Sequence, residues 1–113
     1  MHEMSLAEGI RSIVEQAAHE HGANRVATIV VQIGQLAAVE VDALQFCLES
    51  VLQGSIAEGA RVEVENVAGT GCCRDCGATM PIATLYEPCV QCGSYRVQAT
   101  GGTEMRVKAL EME

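Results

Sequence analysis

Two cysteine pairs stand out for the chemistry they could do. Cys73-Arg-Asp-Cys76-Gly77 and Cys89-Val-Gln-Cys92-Gly93 are both CxxCG knuckles, with 12 residues between Cys76 and Cys89. A two-residue gap lets both thiolates of a knuckle reach one ion, and four soft donors suit a tetrahedral metal. The glycine after each pair can take positive φ, which allows backbone N–H groups to turn toward the sulfurs. A closed structural zinc site is the leading reading; iron in a rubredoxin-like centre and a dithiol redox pair are the alternatives. Cys72 directly precedes the first knuckle, but only Cys73 gives both knuckles the same spacing and trailing glycine, so Cys72 is left out of the primary set. Cys47, among Phe46, Leu48 and Val51, reads as a small buried hydrophobe.

The second group is at the start of the chain. All three histidines, His2, His19 and His21, fall in the first 21 residues. At the Met1-His2 start, an α-amine, a backbone amide and an imidazole follow one another, three nitrogens that can chelate Ni(II) or Cu(II) in one plane. The bland account is a disordered Met-His end. His19 and His21 close a helix, where an imidazolium suits the dipole and a solvated role is expected.

Composition narrows the function classes. Asp plus Glu number 15 against 7 Lys plus Arg, a net charge of -8, and Lys108 is the sole lysine. A phosphate-backbone binder needs the opposite sign, and 3% aromatics supply no platform for stacking bases. With no second lysine, a GxxxxGK[ST] nucleotide loop is excluded. No nucleophile and base arrangement suggests an enzyme, and closed knuckles leave no open coordination position. No apolar run approaches the ~18 residues of a membrane span, and the acidic Met1 to Glu8 start is unlike a secretory signal. The chain therefore reads as cytoplasmic, where thiols stay reduced.

The elements that must position these groups follow from periodicity. Leu6, Ile10, Ile13, Val14 and Ala17 predict a helix over Ser5 to His21, with Ser5 and Glu8 as a capping box and Gly22 as its end. Val26 to Ile33 is a nearly continuous apolar strand closed by Gly34. Val41, Leu44, Leu48, Val51 and Leu52 form the stripe of a second helix ending at Gly54, and Arg61 to Glu65 alternates as a second strand. That is a βαβ unit, so its strands should be parallel with a right-handed crossover. Gly69 to Gly93 has no helical or strand period and reads as a metal-organised insertion. After Gly101 and Gly102, alternation returns through Met105, Val107 and Ala109, a last strand expected to oppose the second.

The fold class is thus α+β: two helices packed on a small mixed three-stranded sheet, with an inserted zinc-ribbon or rubredoxin-knuckle module. Residues 1–68 and 102–113 form the α/β domain and 69–101 the zinc-binding module.

Met1-His2-Glu3, Ile33-Gly34 followed by Val39-Glu40, Gly59, the paired knuckles and the closing Glu104-Met105-Arg106 together resemble the HypA/HybF family of hydrogenase-maturation nickel metallochaperones over essentially the whole chain. The resemblance implies a Ni(II) site at Met1, His2 and Glu3, with Glu40 as a further acidic position. It implies Zn(II) on Cys73, Cys76, Cys89 and Cys92. It also implies nickel as cargo for the large-subunit precursor of a [NiFe] hydrogenase and an accessory, HypB-like GTPase as partner, with no role for nucleic acid or membrane. A zinc-ribbon protein-interaction adaptor without nickel chemistry is the rival reading.

Overall fold

A computed structural model describes residues 2–113. The elements are α1 (His2–Glu20), β1 (Val26–Gly34), α2 (Val41–Val51), β2 (Arg61–Val67), β3 (Thr70–Cys73), β4 (Thr79–Pro81), β5 (Val97–Gly101) and β6 (Met105–Met112). One three-stranded sheet has the order β2-β1-β6 and a second the order β4-β3-β5. The chain separates into two compact units. The first takes in the chain up to Val31 with Val39–Val64 and Val107–Glu113; the second is Gln32–Ala38 with Glu65–Arg106.

The mixed sheet is set by its end contacts. Arg25 and Glu113 exchange backbone hydrogen bonds at one end and the Gly34 N–H donates to the Glu104 carbonyl at the other, so β1 and β6 are antiparallel. The Gln35 N–H donates to the Val67 carbonyl, so β1 and β2 finish side by side and run parallel, as a βαβ unit requires. The last strand does oppose the second in direction. It does not lie beside it, because β1 occupies the centre.

In the first unit, α1 buries Ala7, Ile10, Val14 and Ala18, the i, i+3, i+7, i+11 stripe of one helix face. α2 buries Leu44, Cys47 and Leu48. At 5% exposure, Cys47 is part of the core. The helices run in the same direction: Glu3 near the start of α1 meets Glu40 just before α2, and the Arg11 guanidinium donates to the Val51 carbonyl at the end of α2.

α1 begins at His2, three residues earlier than the Ser5–Glu8 capping box would place it. Glu3 favours the earlier start, since a carboxylate in the first turn complements the positive end of the helix dipole. His2 and Glu3 are therefore structured parts of a helix.

The second unit corrects the expectation that 69 to 93 lacks strands. β3 and β4 pair antiparallel with Gly71 opposite Met80, and β3 pairs antiparallel with β5 with Cys73 opposite Val97. Strands of three to five residues are too short to display a period of two. Gly71 is closely packed: a Cβ there would lie 2.7 Å from the Val97 side chain and 3.3 Å from the Gln98 carbonyl oxygen. The core of this unit is Leu36, Met80 and Ile82 with Cys73 and Cys89. Leu36 comes from the turn after β1, more than 30 residues before the first knuckle.

Candidate metal centres

The knuckles are built alike. The Gly77 N–H donates to the Cys73 carbonyl at 2.9 Å and the Gly93 N–H to the Cys89 carbonyl at 2.9 Å. In return, the Cys73 N–H donates to the Ala78 carbonyl and the Cys89 N–H to the Ser94 carbonyl. Both turns need a positive φ, 76° at Gly77 and 75° at Gly93, which an L side chain would strain. The Gln91 and Cys92 N–H groups point at the Cys89 sulfur at 3.4 and 3.5 Å.

These turns bring four sulfurs together, all within 4.8 Å of one another. Cys73 meets Cys92 at 3.6 Å and Cys76 meets Cys89 at 3.6 Å, each pair crossing between knuckles. A tetrahedron with metal–sulfur bonds of ~2.3 Å has edges of about 3.8 Å, so the spacing suits a four-thiolate ion. A disulfide needs ~2.05 Å and is not formed. An all-thiolate tetrahedral donor set suits zinc or iron, and an ion bound there would tie the two knuckles into one fold.

The same N–H groups act on the thiols. The Cys76 N–H, with that of Asp75, lowers Cys73, and the Cys92 and Gln91 N–H groups pull Cys89 down to about 6. The Ala78 N–H favours the Cys76 thiolate, but the neighbouring Cys89, Cys73 and Cys92 sulfurs together with desolvation outweigh it and push Cys76 up to about 12. At Cys73 and Cys89 the backbone N–H groups thus favour the thiolate form that a metal requires.

Cys72 lies outside the four-sulfur group; its half-buried thiol is directed at the Gly77 carbonyl at 3.8 Å. Sequence reasoning missed Asp75, one of the variable residues inside the first CxxC. Its carboxylate accepts from the Ser94 hydroxyl and from the Arg96 guanidinium, the latter at 2.6 Å, and so joins the two knuckles. No pattern in the sequence marks that contact.

At the other candidate centre, Met1 lies outside the described residues. His2 is on the first turn of α1 with its side chain 57% exposed, and its Nδ1 is 3.4 Å from a Glu3 carboxylate oxygen. That oxygen also accepts the Glu40 backbone N–H at 3.3 Å. The Glu40 N–H is the main cause that holds the Glu3 carboxyl below its ordinary 4.5, followed by Glu3's own N–H. His2, Glu3 and Glu40 are therefore one cluster. His19 and His21 are exposed at the opposite end of α1, and the His21 ring meets the Ala17 carbonyl at 3.0 Å. The N–H groups of a helix's first turn have no partner within the helix, so an amide near His2 can give up its proton to solvent and bind a divalent cation through nitrogen without breaking the helix ladder.

A small α+β protein with a four-cysteine metal-binding cluster resembling a zinc ribbon is the class that this architecture defines. Comparison with known proteins makes it specific. Residues 1–112 match the family described as hydrogenase/urease nickel incorporation, metallochaperone, hypA. The hydrogenase maturation factor HypA of an Azoarcus species is 61% identical over 112 residues, 99% of this chain and 98% of that one. Its counterpart in Dechloromonas aromatica is 52% identical over the full length of both. The solution structure of the Ni metallochaperone HypA from Helicobacter pylori matches with a TM-score of 0.72 at 28% identity, covering 97% of this chain and 96% of that one. The chain belongs to the HypA family of nickel-incorporation metallochaperones.

Proposed function

We propose that the protein binds Ni(II) at its N-terminus, in a site formed by Met1, His2 and Glu3 with Glu40 beside them, the Met1 amine and the His2 nitrogens being the donors. It delivers the ion, together with a HypB-like accessory GTPase, to the [NiFe] hydrogenase large-subunit precursor. It works in the cytoplasm and is a carrier, with no catalytic reaction of its own. Zn(II) on Cys73, Cys76, Cys89 and Cys92 is structural and organises residues 69–101, while the nickel chemistry belongs to residues 1–68 and 102–113.

The observation that carries this reading is the cluster at the start of α1: an exposed imidazole, a carboxylate and a second acidic residue, in a chain of a nickel-incorporation family. Cargo has to be released as well as held. A few donors at an exposed chain end exchange more readily than a closed cage, and a four-thiolate zinc site adds rigidity without presenting an open position.

Calorimetric Ni(II) titration of three proteins tests the site: the native chain, a form extended before Met1, and His2→Ala. The extension converts the amine to an amide and His2→Ala removes the imidazole, so each should weaken nickel binding sharply at unchanged zinc content. Equal affinity across the three would reject the site and leave the zinc-ribbon adaptor, or a nickel site at His19 and His21, in its place.

A further inference from the structure

Just before α2, Glu40 is the N-cap residue, with extended φ and ψ of -78° and 105°, and its side chain makes no capping hydrogen bond. In a capping box the residue at N3 reaches back to the N-cap N–H with a Glu or Gln side chain. Here N3 is Ala43, which has nothing to reach with. The Glu40 N–H nevertheless has a carboxylate partner, and it comes from Glu3 on α1, 37 residues earlier.

We infer that Glu3 supplies the missing member of the α2 capping box across the two helices, and so serves the nickel site as a positioning residue and not as a carboxylate ligand. This deepens the nickel reading above and rests on it only for its consequence, since the cap exists without the metal.

Two features support the assignment. The helices run in the same direction, so their positive N-terminal ends converge on one region, and a carboxylate between them complements both dipoles. Glu3 is also the acidic residue in the first turn of α1, next to His2. One side chain thus ties the turn that carries the imidazole to the residue that carries the second acidic group. Without it, nothing in the local sequence of α2 would hold Glu40 against the start of α1. The bland account is a surface carboxylate that favours its own helix and passes near Glu40 by chance. That account predicts no effect of Glu3 on α2.

The test compares native protein, Glu3→Ala and Glu3→Gln, first by amide hydrogen exchange of the zinc-loaded, nickel-free protein. Loss of a cap typically corresponds to about a fivefold change in a local opening equilibrium. Glu3→Ala should therefore lose about that much protection at the Glu40 amide and in the first turn of α2. Glu3→Gln, whose carbonyl oxygen can still accept the N–H, should restore most of it. Unchanged exchange in Glu3→Ala, or no rescue by Gln, overturns the inference.

The second arm is the Ni(II) d–d absorption. A positioning residue leaves the ligand set intact, so the band should keep its position in both variants while affinity falls in Glu3→Ala, by about 10–100-fold if it behaves like other outer-sphere partners. A shifted band in both variants would mark Glu3 as a ligand and refute the role assigned. A native protein that binds no nickel would instead reject the functional reading, and the exchange arm would still decide the cap.

Discussion

The location of the nickel site can be read from distance alone. His2 and His19 belong to the same helix, 17 residues apart. At 1.5 Å per residue they are separated by about 26 Å, a span too long for one mononuclear site to use both ends. Cu(II) takes the same planar nitrogen donors as Ni(II) and binds them more tightly, so it serves as a paramagnetic stand-in. Added below one equivalent to zinc-loaded protein, it should erase amide resonances near His2 and leave distant ones sharp, because relaxation enhancement falls steeply with distance.

The profile should not be confined to one segment of sequence. Through the contact of Glu3 with Glu40, losses should appear in the first turns of α1 and again at the start of α2, and fade over the ~16 Å from Glu40 to Val51. The amides of His19 to His21 should persist. Losses centred on His19 and His21 with an intact α1 start would refute the argument. Losses at the start of α1 alone would contradict the packing of the two helix N-termini.

Replacing Cys76 or Cys92 with Ala should release the zinc and unfold the segment around β3 to β5 while helical circular dichroism persists; full zinc content in both variants would refute the assignment. Gly34→Ala should destabilise the protein by about 1.5–4.5 kcal/mol, from about 1–3 for overpacking and about 0.5–1.5 for the displaced hydrogen bond. A Cβ there would sit 2.1 Å from the Gly102 carbonyl oxygen, which is held by the Leu36 N–H. In the same denaturation series Gly9→Ala, with open space around an exposed helical site, should stabilise by about 0.5–1 kcal/mol. The depressed Glu3 carboxyl contributes stability that is fully present above its unfolded value of 4.5 and is lost as pH falls through its lower folded value. Protection of the Glu40 amide should therefore drop on acidification in native protein, and Glu3→Gln should flatten that dependence.

The chemistry of the chain was largely local and so was legible as text. A CxxCG knuckle is a covalent unit whose spacing and glycine set its turn, and both knuckles adopt the same hydrogen bonds without help from distant sequence. The stripes of α1 and α2 and the alternation of β2 and β6 likewise reflect one buried face repeated at a fixed period. Met1, His2 and Glu3 were recognisable by type and by resemblance.

Only the tertiary structure decided which of these pieces meet. Periodicity says which face of a strand is apolar but not which strand lies next to it, and so the central place of β1 was not readable. Strands of three to five residues leave no period to detect, which hid β3, β4 and β5. Leu36 could not be assigned to the core of the cysteine unit, because a leucine in a turn carries no sign of the surface it will cover. The resemblance placed Glu40 at the same site as Glu3, but the hydrogen bond between them was not readable: α2 has no N-terminal cap in its own sequence, and the group that supplies one comes from 37 residues away, brought there by the packing of two apolar helix faces.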